Sequence, residues 1–122
     1  MDCDTGSDDA IAILTAILSN KFDILGICTA PLLPIEETTK NTLKILNLLK
    51  SEIPVYRGVS CPLVKTLSPI RRSRMVFNQP INIDGKQIRM HMPFDLREGN
   101  QKEEKKDAAS FYVETLKNTK ER

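Results

Sequence analysis

Two short apolar segments, "FDILGICTA" and "IPVYRG", each follow a stretch patterned as a helix, and this alternation limits the chain more than any other feature. Residues 8–19, "DDAIAILTAILS", place Ile11, Leu14 and Leu18 at helical spacing, with Ile13 and Ile17 widening the stripe, and predict a largely buried helix. The segment "IEETTKNTLKILNLLKS" puts Leu43, Leu46 and Leu49 on one stripe beside Ile45 and Leu48, with acids early and lysines later, as a helix dipole prefers. Helices alternating with short apolar strands, joined by brief polar loops, predict an α/β fold: a parallel sheet with crossover helices, in which "DCD" ends the first strand.

The rest of the chain is less regular. Residues 68–106 carry turn signals, a short hairpin centred on Asp84-Gly85 and a charged run, and read as a long loop or insertion. Residues 107–122 predict a terminal helix, with Asp107 as N-cap and Ala109, Val113 and Leu116 at helical spacing. With 122 residues, a single domain is expected.

Charge is balanced overall, 18 basic against 16 acidic side chains for a net +2, so no general field points to nucleic acid or a membrane surface. The basic run Arg71 to Arg74 has no interleaved aromatic residues and reads as solvated. Three widely spaced cysteines, Cys3, Cys28 and Cys61, form no CxxC pair and suit a reducing compartment; all three read as buried positions. The early apolar run follows acids rather than a basic segment and is too short to span a bilayer, so a cytoplasmic location is expected. His91, the one histidine, has no identifiable partner and is given no role.

Acid is instead concentrated at the start. Four aspartates, Asp2, Asp4, Asp8 and Asp9, fall within the first nine residues of "MDCDTGSDDA". Two carboxylates about 4 Å apart repel by roughly 4 kcal/mol at an effective dielectric of 20, so such a cluster calls for shared protons or a cation. Oxygen ligands select Ca²⁺ or Mg²⁺. A strand-turn-helix setting aims Asp4 from the strand end, and Asp8 and Asp9 from the helix start, into the crevice at the carboxyl edge of the sheet. Gly6 is expected to permit a sharp turn, and Thr5 and Ser7 to cap the helix or bond the carboxylates. The spacing fits neither an EF-hand nor a phosphate-binding glycine loop.

The same residues resemble the inosine-uridine preferring nucleoside hydrolases, whose opening signature is Asp-x-Asp-(Pro/Thr)-Gly-x-Asp-Asp; "DCDTGSDD" meets each fixed position. The likeness runs through "FDILGICT", through "IEETTKNTLKILNLL", similar to a Glu-(Lys)-Thr-Thr-x-Asn helix, and through "IPVYRGVSCPLV", so residues 1–67 form the family-like core. It implies a Rossmann-like core, truncated here, and hydrolysis of a ribonucleoside N-glycosidic bond with Ca²⁺ as cofactor. By the same likeness Asp4 and Asp9 are calcium ligands, Asp4 is also the general base and Asp8 binds the ribose hydroxyls. Asp2 is expected to support the loop. Pro31 and Leu32 stand where the family carries a Gly-Asn pair, and the family chain is more than twice as long, with a further calcium-binding aspartate in its second half.

The implied partner is a small ribonucleoside, with a homo-oligomer left open and neither nucleic acid nor membrane expected. Two other readings stand beside this one. One is an inactive remnant that keeps a metal half-site and acts as an interaction partner. The other is a haloacid-dehalogenase-like phosphohydrolase with Asp2 as nucleophile and Asp4 as acid/base.

Overall fold

The computed structural model describes residues 1–31, 34–61, 81–88 and 93–119. Its elements run β1 (Asp2–Cys3), α1 (Ser7–Leu18), β2 (Ile27–Thr29), α2 (Ile35–Leu49), β3 (Val55–Arg57), β4 (Ile81–Ile83), β5 (Lys86–Ile88) and α3 (Ala108–Asn118). The first three strands form a parallel sheet in the order β1-β2-β3, with Asp2 opposite Cys28, Cys3 opposite Thr29 and Val55 opposite Ile27. Parallel neighbours need long crossovers, and α1 and α2 provide them. The expected α/β architecture is therefore present.

Strand pleating divides the side chains between two faces. Cys3, Ile27 and Val55 point into a core closed by Ile13 of α1 and by Ile45 and Leu46 of α2. On the other face Tyr56 stacks on Phe111 of α3, with ring centroids 3.9 Å apart and planes 12° from parallel. Gly26 makes that stack fit: a Cβ there would lie 2.7 Å from Tyr56 Cε2 and 3.0 Å from Phe111 Cζ.

The helices form where the periodicity placed them, but their facing differs. In α1 only Ile13 is fully buried, while Ile11 and Leu18 are exposed, so the helix is covered on one side rather than largely buried. Its inner stripe is Ala10, Ile13, Leu14 and Ile17, the residues that reach α2 and the sheet. In α2 the inward face includes Thr38, Thr39, Asn41 and Thr42 as well as Ile45 and Leu46, and Leu48 points outward. The α3 stripe is turned as well. Val113 and Leu116 are exposed and Ala108 is buried, because Phe111 is the residue that fills the space above Gly26. Asp107 does cap α3, accepting from Ser110 N at 2.9 Å.

Within the segment read as a long loop, β4 and β5 form the expected antiparallel hairpin. Asp84 (φ 51°) and Gly85 (φ 77°) both adopt the left-handed conformation that a tight two-residue turn requires. The charged stretch after it is bound to the core rather than detached. Phe94 N donates to Asn41 Oδ1 at 2.9 Å, Lys44 Nζ to the Phe94 carbonyl at 2.7 Å and Gln101 Nε2 to the Ile53 carbonyl at 2.7 Å. Glu104 N donates to the Val55 carbonyl at 2.8 Å, and Glu103 takes a forked pair of bonds from Arg57. The Glu104 bond satisfies a β3 carbonyl that the parallel ladder leaves open, and the others tie the stretch to α2 and to the approach of β3. Leu32, His91 and the run Arg71 to Arg74 lie outside the described residues. Among the described residues, no helix is long and apolar enough to cross a membrane.

Candidate active site

The carboxyl ends of β1 and β2 and the first turn of α1 meet at one edge of the sheet. Asp4 is the first residue beyond β1, and Asp8 and Asp9 stand in the first turn of α1, where a helix N-terminus favours negative charge. Gly6 is the N-cap, with φ −93° and ψ −165°, a conformation open to any residue, so the turn does not depend on glycine's freedom. No side chain caps α1. Thr5 does not cap the helix but is fully buried and bonded to Thr42 at 2.7 Å. Ser7 is exposed as the first residue of the helix.

Of the aspartates, Asp4 and Asp9 stand close enough to act on each other, with Asp8 exposed beside them. Asp9 is pushed up to about 6, first by burial, then by the neighbouring Asp4 side chain and its charge, and then by the Asp8 charge. Its Oδ2 atom is buried and has no hydrogen-bond partner. A buried carboxylate oxygen facing nothing, next to a second carboxylate, is costly unless a proton or a cation completes it. The Asp4 and Asp9 oxygens therefore fit a divalent cation in donor chemistry. They form part of a shell, since among the described residues no group of three or more acidic, histidine or cysteine side chains is assembled to hold an ion, whereas Ca²⁺ takes about 6–8 oxygens.

Cys3, directly before Asp4, is buried in the core as expected, and its thiol is pushed up to about 11 by burial and then by the Asp9 charge. It is an inert packing residue. Cys28 is buried too, whereas Cys61 is only half-buried. Asp2 is exposed on β1 and lines a separate cavity of about 410 Å³ with Tyr112 and Arg57.

Sequence reasoning passed over α2 as a part of the site. Thr39 and Thr42 reach the ends of β2 and β1: Thr29 Oγ1 lies 3.0 Å from Thr39 Oγ1, and Asn41 Nδ2 donates to the Thr5 carbonyl at 3.3 Å. The available signal was the placement of Asn41 and Thr42 four and three residues before Ile45, with Thr38 one further turn back, which puts all three on the buried face.

The sequence model of the family described as inosine-uridine preferring nucleoside hydrolase matches residues 1–122. The chain belongs to that family. Among its relatives, a non-specific ribonucleoside hydrolase RihC of Escherichia fergusonii is 41% identical over 66 residues, covering 53% of this chain and 22% of the relative. The protein of the same name in Escherichia coli O139:H28 is 39% identical over 66 residues, with the same coverage. An uncharacterized protein of Schizosaccharomyces pombe is 43% identical over 67 residues, again covering 53% of this chain and 22% of the relative. A solved structure titled Inosine-Guanosine Nucleoside Hydrolase (IG-NH) is 34% identical, with a TM-score of 0.49 over 52% of this chain and 20% of that one. The chain thus spans about a fifth of the length of the curated relatives it matches. Membership of this family replaces the phosphohydrolase reading.

Proposed function

We propose that the chain carries the cation-binding, water-activating portion of a ribonucleoside hydrolase site, cleaving the N-glycosidic bond to free base and ribose. The observation that carries this reading is the closeness of Asp4 and Asp9 with the buried, unpartnered Asp9 Oδ2, in a chain of this family. Asp4 and Asp9 would hold Ca²⁺, which when bound supplies the charge that makes a water easier to deprotonate. Asp4 takes the proton of the attacking water as general base. Asp8, exposed beside the pair, accepts hydrogen bonds from the ribose hydroxyls. As the C–N bond breaks, positive charge grows on the sugar, and the three carboxylates present negative charge to it. The proposed partner is a small ribonucleoside.

The test is ribose release from inosine and uridine with Ca²⁺ present, for the chain and its Asp4→Asn variant. Release that the substitution abolishes supports the reading. A folded chain that binds Ca²⁺ but releases no ribose would favour the second reading, a metal half-site kept as an interaction partner.

A further inference from the structure

The threonines of α2 form two matching units. Thr42 Oγ1 donates to the Thr38 carbonyl at 3.0 Å, and Thr39 Oγ1 donates to the Ile35 carbonyl at 2.7 Å. A hydroxyl has one proton, so both can meet a further hydroxyl only as acceptors. The short contacts across to the strand ends then have a fixed direction: Thr5 donates to Thr42 at 2.7 Å, and Thr29 donates to Thr39 at 3.0 Å. All four residues are buried, so water does not replace a lost partner.

Thr5 is fastened to α2 a second time, because its carbonyl accepts from Asn41 Nδ2 at 3.3 Å, whereas the Thr29 carbonyl accepts from Gly58 N at 3.0 Å, outside α2. It stands between Asp4 and Gly6, and the Gly6 carbonyl accepts the first bond of α1 from Ala10 N at 3.0 Å. The peptide joining Asp4 to the helix that carries Asp9 is therefore fastened to α2 at one end and α1 at the other. We propose that Thr42 is a positioning residue for the candidate site: through the Thr5 hydroxyl it sets the Asp4 carboxylate against Asp9. Thr39 makes the same kind of bond to the end of β2, where no site aspartate stands, and is the internal control. The cation part of this proposal rests on the reading that Asp4 and Asp9 hold a divalent ion, and its geometric part does not.

The experiment compares Thr42→Val, Thr42→Ser and Thr39→Val. Each valine keeps the branched shape and removes one buried hydroxyl, with the bond it donates to a helix carbonyl and the bond it accepts from a strand-end hydroxyl. The first readout is amide hydrogen exchange over residues 4–9 in metal-free protein. The second is Ca²⁺ affinity by calorimetry. Thr42→Val is expected to speed exchange over residues 4–9 and weaken Ca²⁺ binding by about 10-fold each, the scale of losing an outer-shell partner. Thr42→Ser is expected to restore both, and Thr39→Val to leave both within about 2-fold. Equal loosening by the two valines, or none by Thr42→Val, overturns the proposal. If Thr42→Val does not fold, Thr5→Ala and Thr5→Ser take its place, and failure of serine to restore protection is equally fatal. A wild-type chain that binds no Ca²⁺ refutes the cation reading, while exchange over residues 4–9 still decides whether Thr42 positions the loop.

Discussion

Asp9 holds its proton to an unusually high pH because the fold places it half-buried against another carboxylate. An acid raised from 3.8 to about 6 on folding contributes stability that is complete below about pH 4 and lost as pH rises through 6. Asp9 should therefore lower the melting temperature of metal-free protein between pH 4.5 and pH 7, and Asp9→Asn should flatten that dependence. Asp9 is partly open to solvent, so screening reduces the effect to on the order of 1 kcal/mol, or ~3–6 °C in Tm. Saturating Ca²⁺ should reverse the ranking, stabilising the wild type and leaving Asp9→Asn unmoved. Melting curves from pH 4 to 8 with and without Ca²⁺ check both statements, and a variant as pH-dependent as the wild type would refute the assignment. These aspartates were legible in the sequence because their crowding is local and has few physical solutions. The support from Thr42 was not, because a hydrogen bond between residues 37 positions apart has no local signature.

At the scale of elements, periodicity located the helices but assigned their faces only in part, and α3 shows why. Ala109, Val113 and Leu116 share a stripe, yet the docked residue is Phe111, selected by a gap that Gly26 leaves on β2's approach and by the Tyr56 ring on β3. Neither partner lies within the helix whose facing it decides. Gly26→Ala should consequently act on α3 from a distance. Its Cβ would meet both rings at 3.0 Å or less, which forces the stack apart at a cost of about 1–3 kcal/mol. The expected outcome is a lower Tm with faster hydrogen exchange in residues 108–118, while Ca²⁺ binding at the opposite side of the core is retained. Loss of stability without any change in α3 would show that the stack is not what docks the helix.

Across the whole molecule, stability is concentrated on one face of the sheet. The buried apolar cluster comprises Cys3, Ile13, Ile27, Ile45, Leu46 and Val55, all lying between the sheet and the pair α1 and α2. Among the described residues, apart from the Tyr56–Phe111 stack, large apolar side chains beside α3 stay in water: Phe22 is 67% exposed and Leu116 is 73% exposed, and both line the groove of about 490 Å³ there. Substitutions should divide along the same line. Ile13→Ala removes a fully buried side chain and should cost about 2–5 kcal/mol, enough to unfold a marginal domain. Leu116→Lys removes surface that folding never covered and should change stability by less than about 0.5 kcal/mol while improving solubility. Urea denaturation of both variants, with light scattering of the native proteins, makes the comparison. If Leu116→Lys destabilised the isolated chain as severely as Ile13→Ala, the second face of the sheet would have to be a packed core, and the one-sided account of this fold would fail.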